Sequence, residues 1–325
     1  MAVPLEVPDD LGVLLDRIGG ARVVLLGEAT HGTHEFYTWR AAITRRLIDE
    51  AGFSFVAAEA DRRDFEGVDR HVRLVPGADA DPLPSLGRWP TWMWANAEVA
   101  DLVRWLRARN AERDPAGRAG FHGLEERSST EWGGREAWND RSWKMEVEIC
   151  RLLELHGPGS RAVVWAHNTH TGDARATRMG AEGGINLGQL VRQRYGRENV
   201  ALVGFGTHHG MVMAGDSWGA PMRAVALRPA RRGSLEAVLH EHAPPRSLFV
   251  FPERGRGLRL LSGTLGHRAI GVVYHPELED RDTYVPTVLG DRYDAFCWFA
   301  ETWAVRPVPT RTVDTRAPET YPAGV

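Results

Sequence analysis

The sequence predicts an α/β fold in which helices flank a mostly parallel central sheet. Short apolar runs such as 23–26 and 162–166 are typical of strands that are buried on both faces. Apolar residues at helical spacing follow the first of these runs, in the stretch 35–51. Because a helix that joins two strands of one sheet leaves those strands parallel, the repeated alternation of the two patterns predicts a parallel sheet.

The first strand-helix-strand unit brings polar residues to one edge of this sheet. Its first strand ends in Gly27, and its helix runs from about Glu35 to a C-terminal cap at Gly52. The second strand, 53–58, is followed by Glu59-Ala60-Asp61. Parallel strands end at the same edge of a sheet, where open α/β proteins bind ligands. We therefore expect the residues that follow both strands to face one cleft.

The remaining elements follow the same two patterns along the chain. Helices are predicted at 10–18, 62–75, 91–112, 138–155 and 186–196, and strands at 117–125, 199–215, 248–251, 269–274 and 294–305. A connector at 76–90 and a loop at 126–135 separate some of them, and His208, His209 and Gly210 are expected in the exit turn of a strand. These elements predict one domain over residues 1–325, with a helical excursion at about 62–155.

Composition excludes several classes of partner. The chain has 325 residues, 43% of them hydrophobic, and a formal net charge of −3, so neither nucleic acid nor an acidic membrane is an expected partner. Cys150 and Cys297 lie in apolar surroundings, which favours buried free thiols and a reducing compartment. The sequence has no signal-peptide pattern and no run of membrane-spanning length. These features predict a soluble, cytoplasmic protein.

Candidate catalytic residues are concentrated in and after the turns that follow the strands. They are Glu28, His31, Arg40, Glu59, His167 and His170. An imidazole, with an ordinary pKa near about 6.5, suits the removal of a proton from water, so His31 is the candidate base. A carboxylate of Glu28 or Glu59 would fix its tautomer. Positive charge or hydrogen-bond donors for a developing oxyanion would come from Arg40, His167 or His170.

The sequence disfavours a covalent intermediate and nucleotide binding. It contains no G-x-S-x-G motif, and neither cysteine lies in a reactive context, so direct attack by water is the preferred chemistry. Both the G-x-G-x-x-G pattern and a Walker lysine are absent as well. Five further residues near the expected cleft are candidates for substrate binding: Trp94, His122, Arg141, Asn168 and His208.

Several blocks, in order over nearly the whole chain, resemble the erythromycin esterase family, which includes succinoglycan biosynthesis-like proteins. The blocks are GEATHGTHEF, AEAD, PTWMW with NAEV, GFHGLE, VVWAHNTHTGDAR, INLGQLVRQRYG and VGFGTHHG. The resemblance implies an α/β core with attached helices and metal-free hydrolysis of a lactone such as that of erythromycin, without a cofactor. It assigns the catalytic histidine to His31, its glutamate to Glu28, the arginine to Arg40 and the second glutamate to Glu59. His167 and His170 correspond to the family's H-N-x-H block.

The chain also departs from this family. Only about a dozen residues join GFHGLE to WNDRSWKM, where a long helical insertion is expected, so we expect a reduced helical lid or arm. Ser142 stands where an aspartate is more usual, and His34 where a small or different polar residue is. These differences bear on the substrate more than on the chemistry.

The resulting prediction is a metal-independent hydrolase of an ester or lactone, with macrolide inactivation as one possible role. The alternatives are elimination, cyclisation or amide cleavage in the same cleft, and a catalytically silent binding protein. A metal site is a further alternative, because enough ligands are present in His31, His167, His170, Glu28 and Glu59. A small molecule is the expected partner, and a homodimer could cover a cleft that has lost its lid.

Overall fold

The computed structural model describes residues 2–126, 134–252 and 263–311. It confirms an α/β fold with a mostly parallel central sheet flanked by helices. The strands are β1 Ala2–Pro4, β2 Val23–Leu26, β3 Phe55–Asp61, β4 Gly120–Glu125, β5 Ala162–Trp165, β6 Val200–Ala214, β7 Arg223–Leu227, β8 Arg246–Val250, β9 Thr264–Arg268, β10 Tyr284–Val288 and β11 Ala295–Thr302. The predicted loop 126–135 lies mostly outside the described residues.

The parallel part of the sheet has the strand order β11-β6-β2-β5-β3-β4. Three antiparallel strands extend it, since β8 pairs with β11, β1 with β8, and β7 with the far end of β6. A separate antiparallel pair is formed by β9 and β10. The ends of β2, β3 and β5, which carry the candidate catalytic residues, are therefore neighbours at one edge.

Helices cover both faces of the sheet. They are α1 Gly12–Ile18, α2 His34–Ala51, α3 Arg62–Val72, α4 Ala97–Ala111, α5 Gly134–Leu155, α6 Asn168–Thr171, α7 Arg178–Ala181, α8 Leu187–Tyr195, α9 Leu235–His242, α10 Glu279–Asp282 and α11 Leu289–Arg292. Successive residues of β2 point to opposite faces: Val24 belongs to the buried cluster that includes Leu47 of α2, and Leu25 to the one that includes Ile149 of α5. None of the described helices combines the length and apolarity required to cross a bilayer.

The strand predicted at 199–215 is present as β6 but its exit turn is misplaced, and the strand predicted at 269–274 is not formed. His208 and His209 lie inside β6 rather than in an exit turn, because β6 continues to Ala214 and pairs there with β7. The run 269–274 is not a strand; among the described residues, only isolated bridges at Ile270 and Val273 pair it with other segments. Its apolar residues are buried without a continuous ladder, a difference that hydrophobicity alone does not reveal.

Several helix boundaries also differ from the prediction. The helix predicted at 91–112 begins at Ala97, because the side chain of Asn96 caps it by accepting from the amide of Val99. The helix predicted at 62–75 ends at Val72, before Leu74, whose φ is 60°. Within the stretch 62–155, β4 returns to the sheet beside β3, so a sheet strand interrupts the helical excursion.

Candidate active site

The turn between β2 and α2 holds a buried group of three charged or titratable side chains. The Oε1 atom of Glu28 lies 2.9 Å from Nδ1 of His31, and its Oε2 accepts a 2.6 Å hydrogen bond from Nη2 of Arg40. The guanidinium of Arg40 packs against two aromatic rings, 4.3 Å from the centroid of Tyr37 and 4.6 Å from that of Trp165. Tyr37 and Arg40 are three residues apart on α2, so they share the helix face that meets the sheet.

This geometry determines which nitrogen of His31 is available for chemistry. An ionised carboxylate can only accept hydrogen bonds, so Nδ1 of His31 donates its proton to Glu28. Within the described residues, Nδ1 is the His31 nitrogen that is engaged by a hydrogen bond, which leaves Nε2 with a free lone pair. Tyr37 fixes the turn further, because its hydroxyl donates a 3.1 Å hydrogen bond to the carbonyl of His31. His31 is thus held in the tautomer that a general base requires.

Glu59, at the end of β3, contacts Arg141, His167 and His170, which with it form the second half of the site. Its Oε2 accepts a 2.8 Å hydrogen bond from the backbone amide of His167, and its Oε1 accepts one of 2.8 Å from Nη2 of Arg141. Nε2 of His170 lies 3.2 Å from the same Oε1. Burial alone would raise the pKa of the Glu59 carboxyl, but the charges of His170 and Arg141 hold it well below its ordinary value. Glu59 is therefore an ionised anchor for the turn after β5.

His167 caps the short helix α6 and presents one unpartnered nitrogen. Its Nδ1 accepts from the amide of Thr169 and lies 2.8 Å from the Thr169 hydroxyl. Burial, reinforced by the charge of His31, lowers the pKa of His167 well below its ordinary value, so the ring is neutral. Because Nδ1 accepts, Nε2 carries the ring proton, and it has no partner with hydrogen-bond geometry among the described residues. The backbone carbonyl of Ala29 approaches the ring and acts to raise the pKa of His167, but burial outweighs this effect. The rings of His31 and His167 have centroids 4.8 Å apart.

His170 is fully buried beside Glu59. Its ring stacks on Trp138, with centroids 4.4 Å apart and an interplanar angle of 15°. Apart from its 3.2 Å approach to Glu59, neither ring nitrogen has a hydrogen-bond partner in the described part of the chain. Buried polar atoms in native proteins are nearly always satisfied, so a water molecule or a ligand is the expected partner.

Two predicted substrate-binding residues have contacts that hold the site in place. Nε of Arg141 donates a 3.0 Å hydrogen bond to Glu125, in addition to the bond from this side chain to Glu59. Burial would lower the pKa of Arg141, but Glu125 and Glu59 raise it above its ordinary value. Asn168 is fully buried, with Nδ2 donating a 2.7 Å hydrogen bond to the carbonyl of Phe205. Both side chains therefore position other residues.

The other three predicted substrate-binding residues lie apart from this group. Trp94 packs edge-on against Phe65 and against Tyr37, whose ring contacts Arg40. His122 points toward the amino end of its strand, where its Nε2 lies 2.9 Å from Nε2 of His156. His122, predicted as a substrate-binding residue near the cleft, therefore has its side chain at the opposite edge of the sheet.

His208 has a different set of neighbours. Its Nδ1 lies 3.0 Å from Nδ1 of His209, and its ring stacks on that of His240 at 3.8 Å. Burial, together with His240 and His209, lowers the pKa of His208 to about 4. In the part of the chain that the structure describes, no hydrogen bond or ring contact joins it to His31 or Glu59.

The two carboxylates among the catalytic candidates are engaged by groups of the protein itself. A carboxylate ligates a metal ion through an oxygen that is free to face the ion. Both oxygens of Glu28 already accept from His31 and Arg40, and those of Glu59 from Arg141 and the His167 amide. These carboxylates hold cations and amides of the protein itself.

Sequence reasoning missed several residues that shape the site. They are Tyr37 and Trp165 around Arg40, Trp138 beneath His170, and Thr169 beside His167. Tyr37 could have been found from its i,i+3 spacing to Arg40 on a predicted helix. Trp138 and Trp165 had no such signal, because apolar aromatic residues in helices and strands are usually core residues.

Comparison with known proteins identifies the family. The erythromycin esterase family model matches residues 48–132 and 124–302, which is well over half of the chain. The chain belongs to the erythromycin esterase family. This confirms the resemblance carried by the sequence blocks.

Solved structures share the fold of this erythromycin esterase family member at low sequence identity. A succinoglycan biosynthesis protein is 17% identical, with a TM-score of 0.72, and the match covers 94% of this chain and 95% of that one. A Bacillus cereus protein is 18% identical, with a TM-score of 0.73 and coverage of 94% and 96%. A histidine-to-asparagine variant of the erythromycin esterase EreC in its open conformation is 14% identical, with a TM-score of 0.65 and coverage of 90% and 94%.

Proposed function

We propose that this protein is a hydrolase of small-molecule carboxylic esters or lactones, and that His31 activates the attacking water. The observation that carries the proposal is the buried Glu28–His31 pair, 2.9 Å apart and held by Arg40, with the free Nε2 of His167 beside it. Membership of the erythromycin esterase family supports a hydrolytic reaction. His31 supplies the base, Glu28 the carboxylate that orients it, and His167 the hydrogen-bond donor.

The first chemical step is attack of water on the ester carbonyl. Nε2 of His31 takes a proton from water while the water oxygen forms a bond to the carbonyl carbon. The imidazolium that results is stabilised by Glu28, which already accepts from Nδ1. Arg40 holds the Glu28 carboxylate in place through its 2.6 Å hydrogen bond, so the pair needs no rearrangement during the step.

The oxyanion of the tetrahedral intermediate requires a hydrogen-bond donor. The neutral His167 ring carries its proton on Nε2, which has no partner in the described residues, so this nitrogen donates to the oxyanion. The intermediate then collapses: the bond between carbon and the leaving oxygen breaks, and His31 returns its proton to the leaving alkoxide. The products are a carboxylic acid and an alcohol. In a lactone both groups remain in one molecule.

The second half of the site holds these groups in register. Glu59 binds the backbone amide of His167 and approaches His170, which stacks on Trp138. A shift of the Glu59 carboxylate would move the His167 ring away from His31. Macrolactones are the substrate class that the family name favours, and simpler lactones and esters are tested beside them.

The test is incubation of a panel of macrolides, simple lactones and esters with the protein in isotopically labelled water. We expect a product heavier by one water that carries the label in its new carboxyl group, and a His31→Gln variant slowed about a hundredfold to ten-thousandfold. The matched control is His34→Gln. This histidine is three residues away, is partly exposed and pairs with Glu98 at 2.6 Å instead of Glu28, so hydrolysis should be retained.

Each outcome of this test decides a specific point. Equal rates for wild type and His31→Gln would remove His31 from the reaction. A product of unchanged mass would indicate an isomerisation such as cyclisation, and one lighter by water an elimination. Saturable binding without any product over the whole panel would overturn the assignment as a hydrolase.

A further inference from the structure

Three histidines meet outside the candidate active site, where β6 passes α9. They are His208 and His209 on β6 and His240 on α9. One ligand nitrogen from each lies within 4.8 Å of the other two. Among the described residues, no other group of three or more histidine, cysteine, aspartate or glutamate side chains meets this distance criterion. The proposed hydrolysis uses none of these residues.

The meeting of His208 and His209 requires a departure from regular strand geometry. Successive side chains of a strand point to opposite faces, yet the Nδ1 atoms of these neighbours are only 3.0 Å apart. The next residue, Gly210, has a φ of 130°, a conformation that is essentially restricted to glycine. The hydroxyl of Thr207 also donates to the carbonyl of His209. The backbone is therefore irregular at the point where the two imidazoles converge.

Buried hydrogen bonds support the backbone that carries these rings. The carbonyl of His208 accepts from Nη1 of Arg268 at 2.9 Å and from the amide of Ala230 at 3.0 Å. Arg268 is itself fully buried and donates a 2.6 Å hydrogen bond to Glu279. Metal sites depend on ligands that are held by such a second layer of contacts.

The helix that carries His240 is anchored as well. Ser234 caps its N-terminus by accepting from the amide of Ala237, and Glu236 lies 2.6 Å from Nδ1 of His267 in the protein interior. One turn after Glu236, His240 is exposed to solvent. Its ring lies parallel to that of His208, with centroids 3.8 Å apart and an interplanar angle of 7°.

We propose that His208, His209 and His240 bind a divalent transition-metal ion of the zinc class. Imidazole nitrogens suit zinc, copper and nickel, whereas magnesium and calcium prefer oxygen ligands. In a tetrahedral zinc site, bonds of about 2.0–2.1 Å separate the ligand nitrogens by about 3.3 Å. The Nδ1 atoms of His208 and His209 are already 3.0 Å apart, and the ligand nitrogens of all three histidines lie within 4.8 Å of one another. Binding requires the stacked rings of His208 and His240 to tilt until both lone pairs face the ion, and exposed His240 is free to do so. Water would occupy the fourth position.

The experiment is a titration of tag-free, metal-stripped protein with Zn²⁺, followed by calorimetry and by equilibrium dialysis. We expect one Zn²⁺ per chain in the wild type and an affinity at least about tenfold lower in His240→Ala. The matched control is His242→Ala, two residues away on α9, whose imidazole is 70% exposed and lies outside the cluster. Its affinity should equal that of the wild type.

A second readout reports the ligand set itself. Co²⁺ bound by three imidazoles and water is expected to give the visible absorption of a tetrahedral site, and His209→Ala should abolish it. Wild-type protein that binds no stoichiometric Zn²⁺, or His240→Ala and His242→Ala proteins that lose affinity equally, would overturn the proposal. Because both readouts are independent of any substrate, failure of the hydrolase assignment would leave them unaffected.

Discussion

Arg40 donates a 2.6 Å hydrogen bond to Glu28 in the protein interior, where neither side chain has appreciable contact with solvent. Each charge alone would be costly to bury, so the two are retained as a pair. The pair places a carboxylate next to His31 and leaves neither of the two side chains buried without its partner. The chemistry proposed for His31 therefore depends on a contact that also bears on folding.

Removal of Arg40 should destabilise the protein strongly. In Arg40→Met the Glu28 carboxylate remains buried without its partner, and we expect the free energy of unfolding to fall by about 3–5 kcal/mol. The double variant Arg40→Met with Glu28→Gln should lose less, because the unpaired charge is gone. Denaturant unfolding of the wild type, both single variants and the double variant measures this coupling. A double variant that loses the sum of the two single effects would show that the pair is not coupled.

His167 should be replaceable in its capping role but not in catalysis. Asparagine is a favourable N-cap, so His167→Asn should keep α6 while removing the Nε2 donor. We expect kcat for ester hydrolysis to fall by about a hundredfold to a thousandfold, with the free energy of unfolding within about 1 kcal/mol of wild type. His167→Ala separates the two roles, since it loses the cap as well and should be less stable than His167→Asn. Unchanged kcat in His167→Asn would exclude oxyanion stabilisation by this ring.

The pair His122 and His156 should make stability depend on pH below neutrality. Burial lowers the pKa of both side chains to about 4 from an ordinary value of 6.5. Between these values the unfolded chain binds protons that the folded protein does not, so stability is complete above about pH 6.5 and falls as the pH drops toward 4. Replacement of His122 by glutamine removes one of the two groups.

We therefore expect the free energy of unfolding to fall less steeply between pH 6.5 and 4 in His122→Gln than in the wild type. Circular dichroism at a series of pH values provides the measurement. His242→Gln is the matched control, because this side chain is exposed and should leave the slope unchanged. Parallel curves for wild type and His122→Gln would contradict the inferred shift of the His122 pKa.

The sheet edge and its charged residues were predictable from the sequence for a physical reason. Parallel strands that are buried on both faces must be continuously apolar, so 23–26 and 162–165 are recognisable, and the polar residues after them mark the carboxyl edge. Glu28 and His31, three residues apart in one turn, could be placed together on that basis. Arg40, nine residues after His31 on the adjacent helix, could be placed over the same turn, and the family resemblance favoured a functional role for it.

Contacts between distant segments could not be predicted in the same way. Sequence left open whether Glu28 or Glu59 orients His31, because both follow strands that end at the same edge. The structure pairs His31 with Glu28 and uses Glu59 to hold the amide of His167 and Arg141. For His122, position in the strand did not reveal that the ring turns back toward His156.

Gly32, directly after His31, should be intolerant of even the smallest side chain. A Cβ atom at this position would clash with the backbone carbonyl and amide of Met213 on β6, and neither can move like the end of a flexible side chain. The carbonyl of Gly32 also accepts from the amides of Met213 and Val305, both at 3.0 Å, so the turn cannot shift without breaking these bonds. We expect Gly32→Ala to lower the free energy of unfolding by about 1–3 kcal/mol.

Gly67→Ala is the matched control, because this helical glycine has no other heavy atom within 4 Å of the new methyl group. It should gain about 0.5–1 kcal/mol from the higher helix propensity of alanine. Thermal and denaturant unfolding of the two variants, with the ester hydrolysis rate of Gly32→Ala, measure both effects. A Gly32→Ala protein as stable as Gly67→Ala would show that the close approach of β6 does not fix the turn that carries His31.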